Sequence, residues 1–111
     1  MEDADPLEVE DDDEWPPRAI RVGAIRNRAE RHFEREEFFA AASALAEAFD
    51  LAQSAERGEL LGLHHLAAAG YRHQTGEPER AARQLAHGRR RLAAFTDHAA
   101  QVRAVERLLA S

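Results

Sequence analysis

The sequence predicts an all-α protein, a small antiparallel bundle of four to five helices preceded by a disordered acidic N-terminal tail. Three observations lead there. From about residue 20 onward, apolar residues recur at three- and four-residue spacing. No segment alternates polar and apolar residues over a useful length, so strands are not expected. Proline and glycine stand where one periodic stretch gives way to the next, as at "TGEPE", residues 75–79. With 111 residues the chain suits one core, and short connections make successive helices antiparallel neighbours.

The tail is defined by charge. Residues 1–14 hold nine acids (Glu2, Asp3, Asp5, Glu8, Glu10, Asp11, Asp12, Asp13, Glu14) and no base. Of the 21 acids, 12 remain beyond residue 14 to face 15 basic residues, all of them arginine, so a tail of −9 joins a body of about +3. Such a run repels itself and has little to bury, which predicts a disordered tail over 1–16 and a bundle over 17–111. Trp15-Pro16-Pro17 marks the boundary, and Trp15 is the one large apolar group able to anchor the tail on the bundle. Asp11 to Glu14 would then lie near Arg89 to Arg91, or near Arg18 and Arg21.

The first helix should start near Pro17, since proline lacks an N–H where a helix start would leave one unpaired. Its stripe is Ile20/Val22, Ile25, Ala29 and Phe33. The second carries Phe38, Ala42, Leu45 and Phe49. A third, from about Arg57 to Gln74, carries Leu60/Leu61, His64, Ala67/Ala68 and Tyr71. Gly76 can take the left-handed conformation that ends it, and Pro78 opens the fourth, with Ala81/Ala82, Leu85, Gly88, Leu92 and Phe95. Thr96 is a candidate N-cap for a fifth helix with Val102, Val105 and Leu109.

Six of the nine residues from Ala40 to Ala48 are alanine. Methyl groups on a buried stripe let helix axes approach to the lower end of the usual ~8–10 Å range without loss of helix propensity. Ala42, Ala46, Ala67, Ala68, Ala81 and Ala82 are therefore expected to form a close-packing seam. Ala42 and Ala46 would be buried against the third helix near Leu63 to Ala68.

Composition excludes several chemistries. Without cysteine there are no disulfides, thiolate metal sites or thiol nucleophiles, and without lysine no Schiff base. No apolar run approaches the length of a membrane span, and the acidic N-terminus is unlike a signal peptide, which predicts a cytoplasmic protein. Phosphate loops, dinucleotide fingerprints, HExxH and Gly-x-Ser-x-Gly elbows are missing, so no cofactor is expected. No two of His32, His64, His65, His73, His87 and His98 are spaced i, i+4. A metal site would have to cross between helices, using His65 or His73 with Glu47 or Asp50, and tetrahedral sites need three or four protein ligands. Structural histidines are the commoner outcome. Tyr71 and His73 either mark a polar pocket or, more simply, Tyr71 packs with its hydroxyl at the rim. Glu36, Glu37, Glu47 and Asp50 show no pairing that singles them out for acid–base work.

Arg80, Arg83, His87, Arg90 and Arg91 lie off the apolar stripe of the fourth helix and form a basic face. A charge run of this kind is usually a solvated surface. Nucleic-acid binding would call for interleaved aromatics, of which the vicinity offers only Tyr71.

The blocks "HFEREEFFAAASALAEAF" and "LLGLHHLAAAGYRHQTGEPERAARQLAHGRRRL" resemble the prokaryotic helical family known as domain of unknown function 309, over roughly residues 25–95. Leu63, Leu66, Ala67, Ala68, His73, Gly76, Ala81 and Leu85 fall where that family has a Leu-Ile-Gln-Leu-Ala helix, a histidine, a Gly-Asn turn and a Gly-Ala-x-x-Leu-Leu helix. The resemblance implies a metal-binding His-x-x-x-Glu-x-x-Trp/Tyr element on the second helix, which here falls on Ala42, Ala46 and Phe49. Two methyl groups cannot ligate a metal, so the motif is lost. Three classes of function follow. The first is a non-enzymatic module that binds another protein or forms a homodimer. The second is a metal-binding protein or metal-dependent enzyme like the one the resemblance implies. The third is an anion or nucleic-acid binder working through the arginine face, with nucleic acid disfavoured by the missing aromatics.

Overall fold

The computed structural model describes residues 15–111. Among them are five α-helices and a 3-10 turn: α1 (Arg18–Glu34), α2 (Phe38–Leu51), α3 (Ser54–Gln74), α4 (Pro78–Leu92), the turn Thr96–His98, and α5 (Ala99–Ala110). The all-α expectation holds for the described residues.

Helix α1 starts directly after Pro17, whose carbonyl takes the first backbone bond, from Arg21 at 3.0 Å. It buries Val22, Ile25 and Ala29, whereas Ile20 stays exposed. Helix α3 starts three residues before the expected Arg57. Thr96 caps no helix through its side chain and instead opens the 3-10 turn. Phe95, assigned to the α4 stripe, lies beyond that helix in the connection and is exposed.

Helices α1 and α2 form one hairpin and α3 and α4 another. Helix α3 also packs along α2, and α5 lies across α3 and α4. This makes α3 the central element, burying Leu60, Gly62, Leu63, Leu66, Ala67, Ala69 and Gly70. Where α3 meets α4, glycine sets the distance of approach. A Cβ on Gly62 would come within 2.8 Å of Leu92, and one on Gly88 within 2.9 Å of Leu66.

The alanine seam is rotated from its expected place. Ala41, Ala44 and Ala48 are the buried alanines of α2, while Ala42 is half-buried and Ala46 exposed. Phe38 and Leu45 anchor either assignment, but the buried line runs 38, 41, 45, 48. Each residue turns the helix by about 100°, so choosing 42 over 41 moves the stripe onto the flank. In the rest of the seam Ala67 and Ala81 are buried, Ala68 is half-buried and Ala82 exposed.

The two hairpins repeat with a period of 40 residues. The pattern Glu-x-x-x-Ala-Ala-x-x-Leu-Ala occurs at 37–46 and again at 77–86. Ala41 and Ala81 are both fully buried, and Ala29 and Ala69 match likewise. The turns agree atom for atom: Glu37 N–H bonds to His32 O at 2.9 Å and Glu77 N–H to Arg72 O at 2.8 Å, around the positive-φ residues Glu36 and Gly76. This is the six-to-one bond of a Schellman turn. In each, the residue whose carbonyl accepts that bond also meets the glutamate side chain, His32 to Glu37 at 2.7 Å and Arg72 to Glu77 at 3.0 Å. Gln74 Nε2 donates to Glu36 O at 2.8 Å and ties one turn to the other. Stacked hairpins of this kind share a core that neither could complete alone.

Trp15 is 83% exposed. The expectation that it packs on the bundle is therefore overturned, while Asp11 to Glu14 lie outside the described residues. No described helix is long and apolar enough to cross a membrane.

Candidate functional site

The flank onto which the seam does not fall is the most distinctive surface of the molecule. Residues 39, 42, 46 and 49 follow one another at intervals of three, four and three and so share one side of α2. They are Phe39, exposed at 65%, Ala42, Ala46 and Phe49. Helix α3 runs alongside with a stripe of the same spacing, Leu61, His64, Ala68 and Tyr71, every member half-buried. At one end the Phe39 and Tyr71 rings lie 5.5 Å apart. Toward the other, Ala46, Phe49 and Asp50 of α2 line a cleft of about 190 Å³ with Leu60, Leu61 and His64 of α3. Arg57 caps that end, its guanidinium 4.5 Å from the centre of the Phe49 ring. Burial foremost, and then the neighbouring His65, holds the His64 imidazole below its ordinary value. At neutral pH the face is therefore apolar and bears no charge within its two stripes.

The three positions onto which the resemblance would place a metal motif, Ala42, Ala46 and Phe49, all belong to this flank. The proposed cross-helix ligands do not gather there. Glu47 is paired with Arg28 of α1 at 2.9 Å, and His65 turns to α4, with Nδ1 2.6 Å from Gln84 Oε1 and its ring 5.3 Å from that of His87. His73 is half-buried farther along α3. Only Asp50 reaches the cleft. Among the described residues no three of His, Cys, Asp and Glu stand together as a metal would require.

Part of the arginine face does converge. Arg80, Arg83 and His87 join Arg72 and Gln84 around a shallow cleft of about 270 Å³. Its charge is partly answered within the protein, because Glu77 lies 3.0 Å from Arg72 and 3.1 Å from Arg80. The Thr75 hydroxyl first, and Arg72 next, keep that carboxyl below its usual value. Arg90 donates to His87 Nδ1 at 2.7 Å. Lost hydration, followed by Arg90, His65 and Arg91, lowers the His87 pKa. Arg91 is exposed and stands outside this cleft.

Compared with protein-family models, curated proteins and solved structures, the chain matches none. The reading of function thus rests on the geometry.

One group escaped sequence reasoning. Glu59 of α3 accepts from Arg26 of α1 at 2.9 Å and bonds His98 Nε2 of the 3-10 turn, and His98 is buried. Burial would raise the Glu59 carboxyl, but the His98 bond and the Arg26 charge together hold it below its ordinary value. His98 and Arg26 also line a cleft of about 270 Å³ between α1 and α5, with Phe33, Leu63 and Gln101. Nothing local in the sequence pairs residues 39 positions apart. The only signal was an imidazole next to a helix start.

Proposed function

We propose that this protein is a non-enzymatic helical interaction module that binds another protein chain through the α2–α3 face. The observation that carries the reading is the contrast between the two repeats. Phe39, Ala42, Ala46 and Phe49 of the first correspond to Glu79, Ala82, Ala86 and Arg89 of the second, all exposed. The hairpin architecture therefore works equally well with charge at the outer ends of this flank. Phe49 rests part of its ring on the core, but Phe39, 65% exposed at the other end of the flank, is a large ring the core does not use, and exposed aromatic rings are typical anchors of a protein interface.

The test is a photo-crosslinking phenylalanine analogue placed at position 39 in cells. A discrete adduct is expected that is missing when the label is moved to exposed Arg18 and disappears when Ala46→Glu is added. Equal labelling from both positions, or no adduct at all, would rule the face out.

The converging guanidinium groups support a second reading, an anion site at Arg72, Arg80 and Arg83. Retention on a phosphate-bearing resin that drops on Arg80→Gln with Arg83→Gln, and drops again with salt, would favour it.

A further inference from the structure

We infer that the partner of this face is a second copy of the chain, packed about a two-fold axis with its α2 antiparallel to the first. The inference rests on reading the α2–α3 face as an interaction surface and names its occupant.

The argument is one of symmetry. Along α2 the flank reads large, small, small, large, Phe39, Ala42, Ala46, Phe49, at intervals of three, four and three. It reads the same from either end. In a two-fold interface the same patch serves both subunits, and a residue on one side of the axis meets its counterpart from the other. An axis through the level of Ala44 sets Ala42 against Ala46 of the second copy and Phe39 against Phe49 of the second copy. Methyl groups then meet at the centre, where the axes approach toward ~8 Å, and rings close both ends. A surface shaped for an unrelated partner has no reason to be palindromic.

The spacing agrees with this geometry. Intervals of three and four are those of an antiparallel bundle seam, and α3 supplies the parallel stripe Leu61, His64, Ala68 and Tyr71. Two α2–α3 pairs so joined make a four-helix bundle whose core receives eight residues from each copy. Fourteen residues make α2 about 21 Å long. A contact of that length and two helices wide covers on the order of 600 Å² per copy, the low end for a stable complex. The rim is polar and of mixed sign, with Asp50 and Arg57 at one end and Arg72 at the other. Such an interface gives a monomer–dimer equilibrium in the micromolar range rather than an obligate dimer.

Sedimentation equilibrium of the full chain from about 1 to about 200 μM reads this directly. The mass should rise from 12.4 kDa toward twice that value. Ala46→Glu should move the midpoint at least about tenfold higher in concentration with helicity unchanged, because Ala46 is exposed in the single copy. The register has its own readout, since the chain has no native cysteine. A mixture of Ala42→Cys and Ala46→Cys chains should form the mixed disulfide in preference to either symmetric one. A chain that stays monomeric throughout, a dimer indifferent to Ala46→Glu, or preferential Ala46→Cys self-linking as in a parallel pair would each overturn the proposal. If the chain is monomeric and the position-39 crosslinker still captures a chain of different mass in an Ala46-dependent way, the interaction reading stands and self-pairing falls.

Discussion

Glu36 and Gly76 occupy the same backbone position in the two turns, with φ of 57° and 78°, yet only one is the residue that conformation favours. A side chain in the left-handed region costs roughly 1–2 kcal/mol, and glycine gives back about 0.4–1 kcal/mol through the freedom it adds to the unfolded chain. Glu36→Gly should therefore stabilise by about 0.5–1 kcal/mol, and Gly76→Ala should destabilise by a similar amount. Urea unfolding of both variants checks the pair, and the opposite sign at either site would mean that the turns are not equivalent. This also marks how far single residues could be read from sequence. Glycine before proline announced the second turn, while glutamate announces nothing about φ. Alanine was ambiguous for another reason: between Ala41 and Ala42 the residue type is constant, so only the true rotation of α2 decides which is buried.

At the scale of the helices the reading was more secure, because long apolar periodicity survives errors at single positions. The starts of α1 and α4 and the end of α3 fell where the prolines and Gly76 placed them. The start of α3 and the 3-10 turn did not, since no proline marks either. The 40-residue repeat was legible in principle from Glu-x-x-x-Ala-Ala-x-x-Leu-Ala, but alanine-rich helices conceal such matches. The α2 flank connects this level to chemistry. Ala46 and His64 line one cleft, and Ala42 is one turn from Ala46 on the same side. Ala42→His with Ala46→Glu should therefore gain zinc affinity over the wild type, with His64 as third ligand and water completing the tetrahedron. Titration with a competing chelator measures the gain. His64→Ala on that background should abolish it, and unchanged affinity in the double variant would show that the three positions do not converge.

Across the whole molecule, a part-buried polar cluster joins elements that lie far apart in the sequence. Stacked hairpins touch chiefly their neighbours in sequence, and here α1, α3 and the turn leading into α5 are drawn together by Arg26, Glu59 and His98. A carboxylate taken from water and left without a partner would be strongly unfavourable, but Glu59 has two, Arg26 and His98. Its pKa is lowered in the fold, so the folded protein takes up this proton less readily than the unfolded chain. The stabilisation is fully present above the ordinary glutamate value of about 4.3 and is lost as pH falls through the lower folded value. Other carboxylates titrate in the same range, so the informative quantity is the gap between wild type and Glu59→Gln, which keeps the shape and removes the charge. Urea midpoints should differ clearly at pH 7, with the variant weaker, and the two should converge as the solution is acidified below about pH 4. A gap that stays constant with pH would assign the cost of the substitution to packing, and the three elements would then be joined by their apolar contacts alone.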